Sequence, residues 1–257
     1  MVGTVAVVTG GAGGIGRALA RRFADQGARA VVVADLDGAA ARAVAATLPE
    51  GMGLALDVSD EVAVRRAVER VESDLGPIGV WCSNAGVPSV EGLGDDADWD
   101  RGWRVNVLAH VYAARHVLPG MVARGDGHFL VTASAAGLLS EMDTAPYTVT
   151  KHGAVALAEW LAIRYAGSGV RFSCVCPLGV RTAMTDALPK ESATLASGAL
   201  IEPDQVADAV VDGMAEGRFL ILPHPEVAEF ERRRAADRDR WLAGMARFWQ
   251  AQRTQGG

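Results

Sequence analysis

The amino-acid sequence predicts an α/β fold, a parallel, doubly wound β-sheet with helices on both faces. Three observations carry this. Short apolar runs with the length and branching of buried strands alternate with helical patterns along the chain. Neither an internal repeat nor a Pro/Gly/Ser-rich linker interrupts the alternation, and 257 residues with 50% hydrophobic content suffice for one large core, so residues 1–257 are expected to form a single domain. The first 35 residues then form a strand, glycine turn, helix and second strand, and that unit sets the pattern for the rest.

In chain order, the apolar run at 5–8 reads as the first strand. Ile15, Leu19 and Phe23 recur at four-residue spacing on one helix face, and Gly27 stands where that helix should stop. A second strand at 31–33 ends in Asp35. An Ala-rich helix at 38–48 leads to a short strand at 54–56. Ser59 is the expected N-cap of a helix lined by Val64, Val68, Val71 and Leu75. Strand four is 80–82, closed by Ser83, Asn84, Ala85 and Gly86. An acidic loop at 91–98 precedes a long helix carrying Trp99, Trp103, Asn106, His110 and Val117. The turn Gly125-Asp126-Gly127 opens strand five at 129–131, which ends near Ser134. Pro146 suits the first position of a helix containing Tyr147, Lys151, Leu157 and Leu161. Strand six, 170–176, is stopped by Pro177. A weakly charged insertion at 183–202, a strand at 219–222 and a helical tail at 226–257 complete the chain. In the tail, Trp241, Leu242, Met245, Phe248 and Trp249 are expected on one helical face.

The opening unit has the chemistry of a dinucleotide site. Glycines allow a tight turn and a close backbone approach to a pyrophosphate, and the following helix N-terminus offers free N–H groups and a positive dipole end. Gly11, Gly13 and Gly16 match G-x-G-x-x-G, while Thr9, Gly10, Gly14 and Gly16 match T-G-x-x-x-G-x-G. Asp35 stands about 20 residues further on, where an acid binds the adenosine ribose hydroxyls. A nucleoside triphosphate loop is excluded, because Arg17 and Ala18 occupy the places of its Lys and Ser/Thr.

Composition narrows the classes further. The formal net charge of −6 and the lack of a basic stripe argue against nucleic acid. No apolar run could span a bilayer, and a strand beginning at Val5 leaves no room for a signal peptide. The three cysteines, Cys82, Cys174 and Cys176, form no C-x-x-C pair and sit in apolar runs, as expected of reduced thiols in a cytoplasmic protein. The five histidines, His152 among them, show no metal-ligand spacing, so no metal is expected.

Tyr147 and Lys151 are one helical turn apart and share a face. An ammonium beside a phenol stabilises the phenolate and is expected to lower the Tyr pKa from its usual ~10, which suits proton exchange with an alcohol or carbonyl. Ser134, at a strand end, can hold a substrate oxygen; an isolated serine there is more often a cap or turn residue.

Taken together, Thr9–Gly16, Asp57, Asn84-Ala85-Gly86, Asn106, Ser134, Tyr147-x-x-x-Lys151 and Pro177…Thr182 resemble the short-chain dehydrogenases/reductases in order and spacing, over roughly residues 3–222. The resemblance implies a Rossmann-type sheet of about seven strands, a nicotinamide cofactor and a catalytic group of Ser134, Tyr147, Lys151 and Asn106. Tyr147 would be the general acid/base. Lys151 would lower its pKa and hold the nicotinamide ribose, Ser134 would position the substrate oxygen, and Asn106 would support a water chain. The implied cofactor contacts are Gly10, Gly14, Ile15, Gly16, Asp35, Leu36, Asp57, Val58, Asn84, Ala85, Gly86, Tyr147, Lys151, Pro177, Gly179, Val180 and Thr182. Three departures stand out. Ser83 replaces a common Asn, Leu178 replaces the Gly that usually follows Pro177, and the chain continues well beyond strand seven, which favours a homodimer over the common homotetramer.

The expected activity is hydride transfer between NAD(H) and a secondary alcohol or ketone, with NAD preferred because Asp35 and Asp37 would repel a 2′-phosphate. The substrate is expected to be a mostly apolar small molecule, held by the 183–202 insertion with Leu138, Leu139 and Met142. The alternative is a dinucleotide sensor that keeps the fold without turnover. Retention of all four polar residues favours the enzyme.

Overall fold

The computed structural model describes residues 1–188, 192, 198 and 200–255. Lys190 and Glu191, part of the expected insertion, lie outside the described residues. Seven strands form one sheet in the order β3-β2-β1-β4-β5-β6-β7, and every neighbouring pair is parallel. They are β1 Val5–Thr9, β2 Ala30–Asp35, β3 Gly51–Ala55, β4 Ile78–Ser83, β5 Gly127–Thr132, β6 Val170–Val175 and β7 Leu220–Ile221. The helices are α1 Gly14–Asp25, α2 Gly38–Ala45, α3 Glu61–Leu75, α4 Asp96–Trp103, α5 Ala109–Arg124, α6 Ala145–Arg164, α7 Ala183–Asp186, α8 Pro203–Ala215, α9 Glu226–Ala236 and α10 Arg238–Gln255.

The sheet is buried on both faces, which explains its near-continuous Val runs. Side chains alternate between two cores. Val5, Val7, Val32 and Ala34 pack with α3, α5 and α6, whereas Ala6, Val8, Val31 and Val33 pack with α1, α2 and α8. Leu19 and Phe23 of α1 are fully buried, each worth about 1.5–3 kcal/mol in burial. Ile15, on the same face one turn earlier, is left at the cavity edge. Strand order reverses at β1, where one crossover leads to β2 and the next parallel neighbour is β4. That reversal opens a crevice at the carboxyl ends of the strands.

Local boundaries differ from the sequence expectation in instructive ways. β3 spans Gly51–Ala55, earlier than the run at 54–56, because it pairs with β2 from Val31↔Gly51 onward. The N-cap of α3 is Asp60 instead of Ser59: the Asp60 carboxylate accepts from Val62 N and Ala63 N, while Ser59 donates to Asp57. Thr144 caps α6 and Ala145 is its first residue, so Pro146 is the second, where its missing N–H still costs nothing. β7 is only two residues long. The long helix expected after residue 98 is interrupted by a π turn at Arg104–Leu108. In the tail, Val227 is fully buried in the sheet's core, Phe230 and Trp241 pack against it, and their rings lie 6.4 Å apart. Leu242 departs from the expected apolar face and is exposed.

Candidate active site

The carboxyl ends of the strands open into a cavity of about 520 Å³. Strand order sets its layout. Asp35 at the end of β2 and Leu36 after it, with Asp57 and Val58 after β3, lie at one end. The glycine turn after β1 is central. Ser134, Tyr147, Lys151 and Pro177 lie at the other end.

The glycine turn is locked to the loop after β4. Gly10 has φ +62°, and a methyl there would come within 2.9 Å of Ala85 Cα. A methyl on Gly16 would collide with the Gly10 carbonyl. The Asn84 amide donates to Thr9 O (2.9 Å) and Gly10 O (3.4 Å), and Thr9 Oγ1 accepts from Asn84 N (2.9 Å) and Ala85 N (3.0 Å). Asn84 is thus a brace as well as a wall. Helix α1 has no side-chain N-cap and no acid in its first turn, which leaves its N-terminal N–H groups and dipole for an anion. Gly13 lines the cavity, and a methyl there would meet no protein atom within 4 Å. Asp35 accepts from Ala12 N (3.0 Å) through one oxygen and from Asp37 N (3.1 Å) through the other. Its carboxylate is therefore oriented by the glycine turn itself. These residues fit a dinucleotide: N–H donors for the pyrophosphate and a fixed acceptor for ribose hydroxyls.

At the other end, Ser134 starts a short 3₁₀ turn and accepts from Ala136 N at 3.1 Å. Tyr147 and Lys151 lie in the first turns of α6. Lys151 is buried; its Nζ donates to Thr132 O at 3.2 Å and sits 5.7 Å from the Tyr147 ring centroid. Burial pushes the Lys151 ammonium down to about 8. Burial also pushes the Tyr147 phenol up to about 12, against the lowering pull of the Ser134 hydroxyl. The expected lowering of the Tyr147 pKa is not found: burial raises it, and the group that pulls it down is the Ser134 hydroxyl, not Lys151.

Asn106 lies in the π turn, fully buried, and does not line the cavity. Its Oδ1 accepts from Val87 N (2.9 Å), and its Nδ2 donates to Val87 O (3.1 Å) and Thr150 Oγ1 (3.2 Å). A methyl on Gly86 would come 3.3 Å from Asn106 Oδ1 and 3.4 Å from Lys151 Nζ, so these three groups converge. Gly179 also stands behind the wall. The remaining residues implied by the resemblance, from Gly10, Gly14, Ile15 and Gly16 through Ala85 and Gly86 to Val180 and Thr182, all line the cavity.

The Tyr147 end, where the substrate is expected, is less apolar than the sequence suggests. Leu139 lines it with Ala183, Met184 and Leu188, but Leu138 is in the core and Met142 is not on the wall. Glu141 and Asp143 are present instead, and Asp143 accepts from Ser192 at 2.8 Å. Sequence reasoning also missed His224, whose only signal was a polar residue just after the last strand. None of the described residues of α9 or α10 lines the cavity. Among the described residues, no helix is long and apolar enough to cross a membrane.

Comparison with known proteins places this arrangement in a class. Residues 4–193 match the short chain dehydrogenase family, and the chain belongs to it. Over 212 residues it is 37% identical to meso-2,3-butanediol dehydrogenase of Serratia marcescens, covering 79% of this chain and 84% of that one. It is 41% identical over 191 residues to the sex determination protein tasselseed-2 of Zea mays, covering 71% of this chain but only 56% of that longer protein. A short chain dehydrogenase/reductase from Burkholderia phymatum, solved in complex with NAD, superimposes with a TM-score of 0.83 at 31% identity, over 93% of this chain and 95% of that one. The chain is accordingly an oxidoreductase of that family with its Rossmann-type fold.

Proposed function

We propose that residues 1–257 act as one catalytic domain that uses NAD(H) to interconvert a neutral secondary alcohol and its ketone. The observation that carries this is the convergence of Ser134, Tyr147 and Lys151 at one end of a cavity whose other end holds Asp35. When bound, the nicotinamide supplies hydride exchange. Gly10, Gly13, Gly14, Ile15 and Gly16 would hold the pyrophosphate, with Asp35 and Leu36 at the ribose, Asp57 and Val58 at the adenine, and Asn84, Ala85 and Gly86 along the middle. Pro177, Val180 and Thr182 would wall the nicotinamide end, with Gly179 supporting them from behind. Ser134 orients the substrate oxygen. Tyr147 takes the hydroxyl proton in oxidation and returns it in reduction, and Lys151 stabilises the phenolate between those events. Asn106 positions the Val87 backbone and the helix that carries Lys151.

The apolar side chains of Leu139, Ala183, Met184 and Leu188 on the cavity wall favour a neutral substrate over a phosphorylated or carboxylated one. The exposed Trp160 and Ile163 on α6 supply an apolar face for a second copy and support a homodimer. The test is absorbance of NADH during turnover of a panel of neutral secondary alcohols, each with NAD and with NADP. NAD-dependent turnover of at least one neutral alcohol is expected. Tight NADH binding with no turnover across the panel would replace this reading with that of a sensor.

A further inference from the structure

We infer that His224 is a positioning residue that clamps the nicotinamide wall and so sets affinity for that end of the cofactor alone. The inference rests on the reading that the cavity binds NAD(H).

His224 follows β7, is 3% exposed, and reaches back to the segment after β6 with both ring nitrogens. Leu178 N donates to His224 Nδ1 at 3.1 Å, and His224 Nε2 lies 3.1 Å from Gly179 O. These partners fix the proton. A backbone N–H only donates, so Nδ1 is the bare acceptor; a carbonyl only accepts, so Nε2 carries the hydrogen. The ring is neutral in this arrangement, and burial, which lowers its pKa, keeps it so.

The clamped segment is held from the other side too. Pro177 O accepts from Ala135 N at 2.8 Å and from Ser134 Oγ at 3.5 Å, and Ile201 N donates to Gly179 O at 3.1 Å. Pro177–Gly179 is therefore a strip of backbone suspended between the Ser134 turn and His224. Pro177 and Leu178 on that strip face the cavity. Leu178 stands where the family usually has glycine, so its side chain forms wall surface whose position depends on the backbone His224 holds. None of the contacts of His224 reaches the Asp35 end.

The separation of the two ends gives the test. His224→Phe keeps an aromatic ring and removes both hydrogen bonds; His224→Asn retains an acceptor near the Nδ1 position. Binding of NADH and of ADP-ribose, which lacks the nicotinamide, is measured by titration on the full chain below its melting temperature. His224→Phe is expected to weaken NADH about 10-fold or more and to leave ADP-ribose within about 2-fold, with His224→Asn intermediate; ~1.4 kcal/mol corresponds to tenfold. Equal loss of both ligands, or loss of neither in both variants, overturns the clamp. If His224→Phe does not fold, His224→Asn with wild-type NADH affinity overturns it equally. A wild-type chain that binds neither ligand overturns the cofactor reading itself, a result distinct from a wild type that binds both while the variants match it.

Discussion

The two ends of the cavity are built on different principles. At the Asp35 end, the acid hydrogen-bonds back to Ala12 N within the opening strand–turn–helix–strand unit, and the glycine turn is latched in addition to Asn84 after β4. At the Tyr147 end, each wall is held by contacts from far along the chain, Ser134 to Pro177 and Leu178 to His224. Restraint within one segment orients the Asp35 carboxylate, whereas restraint from distant segments holds the Pro177–Gly179 strip and needs the completed sheet.

The largest effect expected from breaking this division is at Tyr147. Tyr147→Phe removes one hydroxyl and should lower turnover by ~10²-fold or more while NADH binding stays near wild type. Turnover close to wild type would remove Tyr147 from the chemistry and with it the functional contrast between the ends.

Next comes the cofactor's 2′ position. The wild type should favour NAD over NADP by roughly 10²-fold in kcat/KM, since repulsion at Asp35 is worth a few kcal/mol. Asp35→Ser should narrow that ratio, and adding Leu36→Arg should narrow it further. Because Asp35 also orients the glycine turn, Asp35→Ser should weaken NAD itself. NADP used as well as NAD by the unmodified chain would show that this carboxylate does not face the ribose.

The glycine unit, Asp35, Tyr147 and Lys151 were legible in the sequence because each is a local pattern, and the strand–helix alternation carried the fold. His224 was not legible: its meaning lies in two backbone atoms of a segment 46 residues away. Nor was the raised Tyr147 pKa, because spacing reveals the neighbouring charge but not the depth of burial. Asn106 was visible only through the family resemblance. The π turn that carries it leaves no mark in a hydrophobic pattern, which continues across Trp103 and Val107 as though the helix were regular. Ser59 was mistaken for a cap because Ser and Asp are both good caps, and only the geometry chooses Asp60.

A smaller effect concerns stability rather than chemistry. His110, one turn beyond Asn106, and His128, at the foot of β5, are both buried and held down to about 3, chiefly by desolvation. Unfolded, each would titrate near ~6.5. Their folded values are lower, so the unfolded chain takes up protons first: stability is full above pH ~6.5 and is lost as pH falls toward 3. The slope is about 1.4 kcal/mol per pH unit for each. Urea unfolding at pH 7.5 and 5.5 should differ by roughly 3 kcal/mol, and His128→Gln should remove about half the difference. An unchanged difference in that variant would exclude His128 as a source.

The smallest effect is expected from deleting α10 after Asp237. Phe230 loses the Trp241 ring that packs on it, so about 1–3 kcal/mol of stability should go. No described residue of α10 lines the cavity, so NADH affinity should stay within ~2-fold, which is about 0.4 kcal/mol. A large loss of affinity would show that the tail reaches the site.

The reversal of strand order at β1 also imposes a timetable. Synthesis delivers the N-terminal end first. The β1–β2 pair needs only the first 35 residues, but the Thr9–Asn84 latch joins groups 75 positions apart and must await β4. The wall beside Tyr147 waits longer still, since its last fastening is His224. On the ribosome, the β1–β2 pair can therefore form while the Pro177–Gly179 strip is still unfastened.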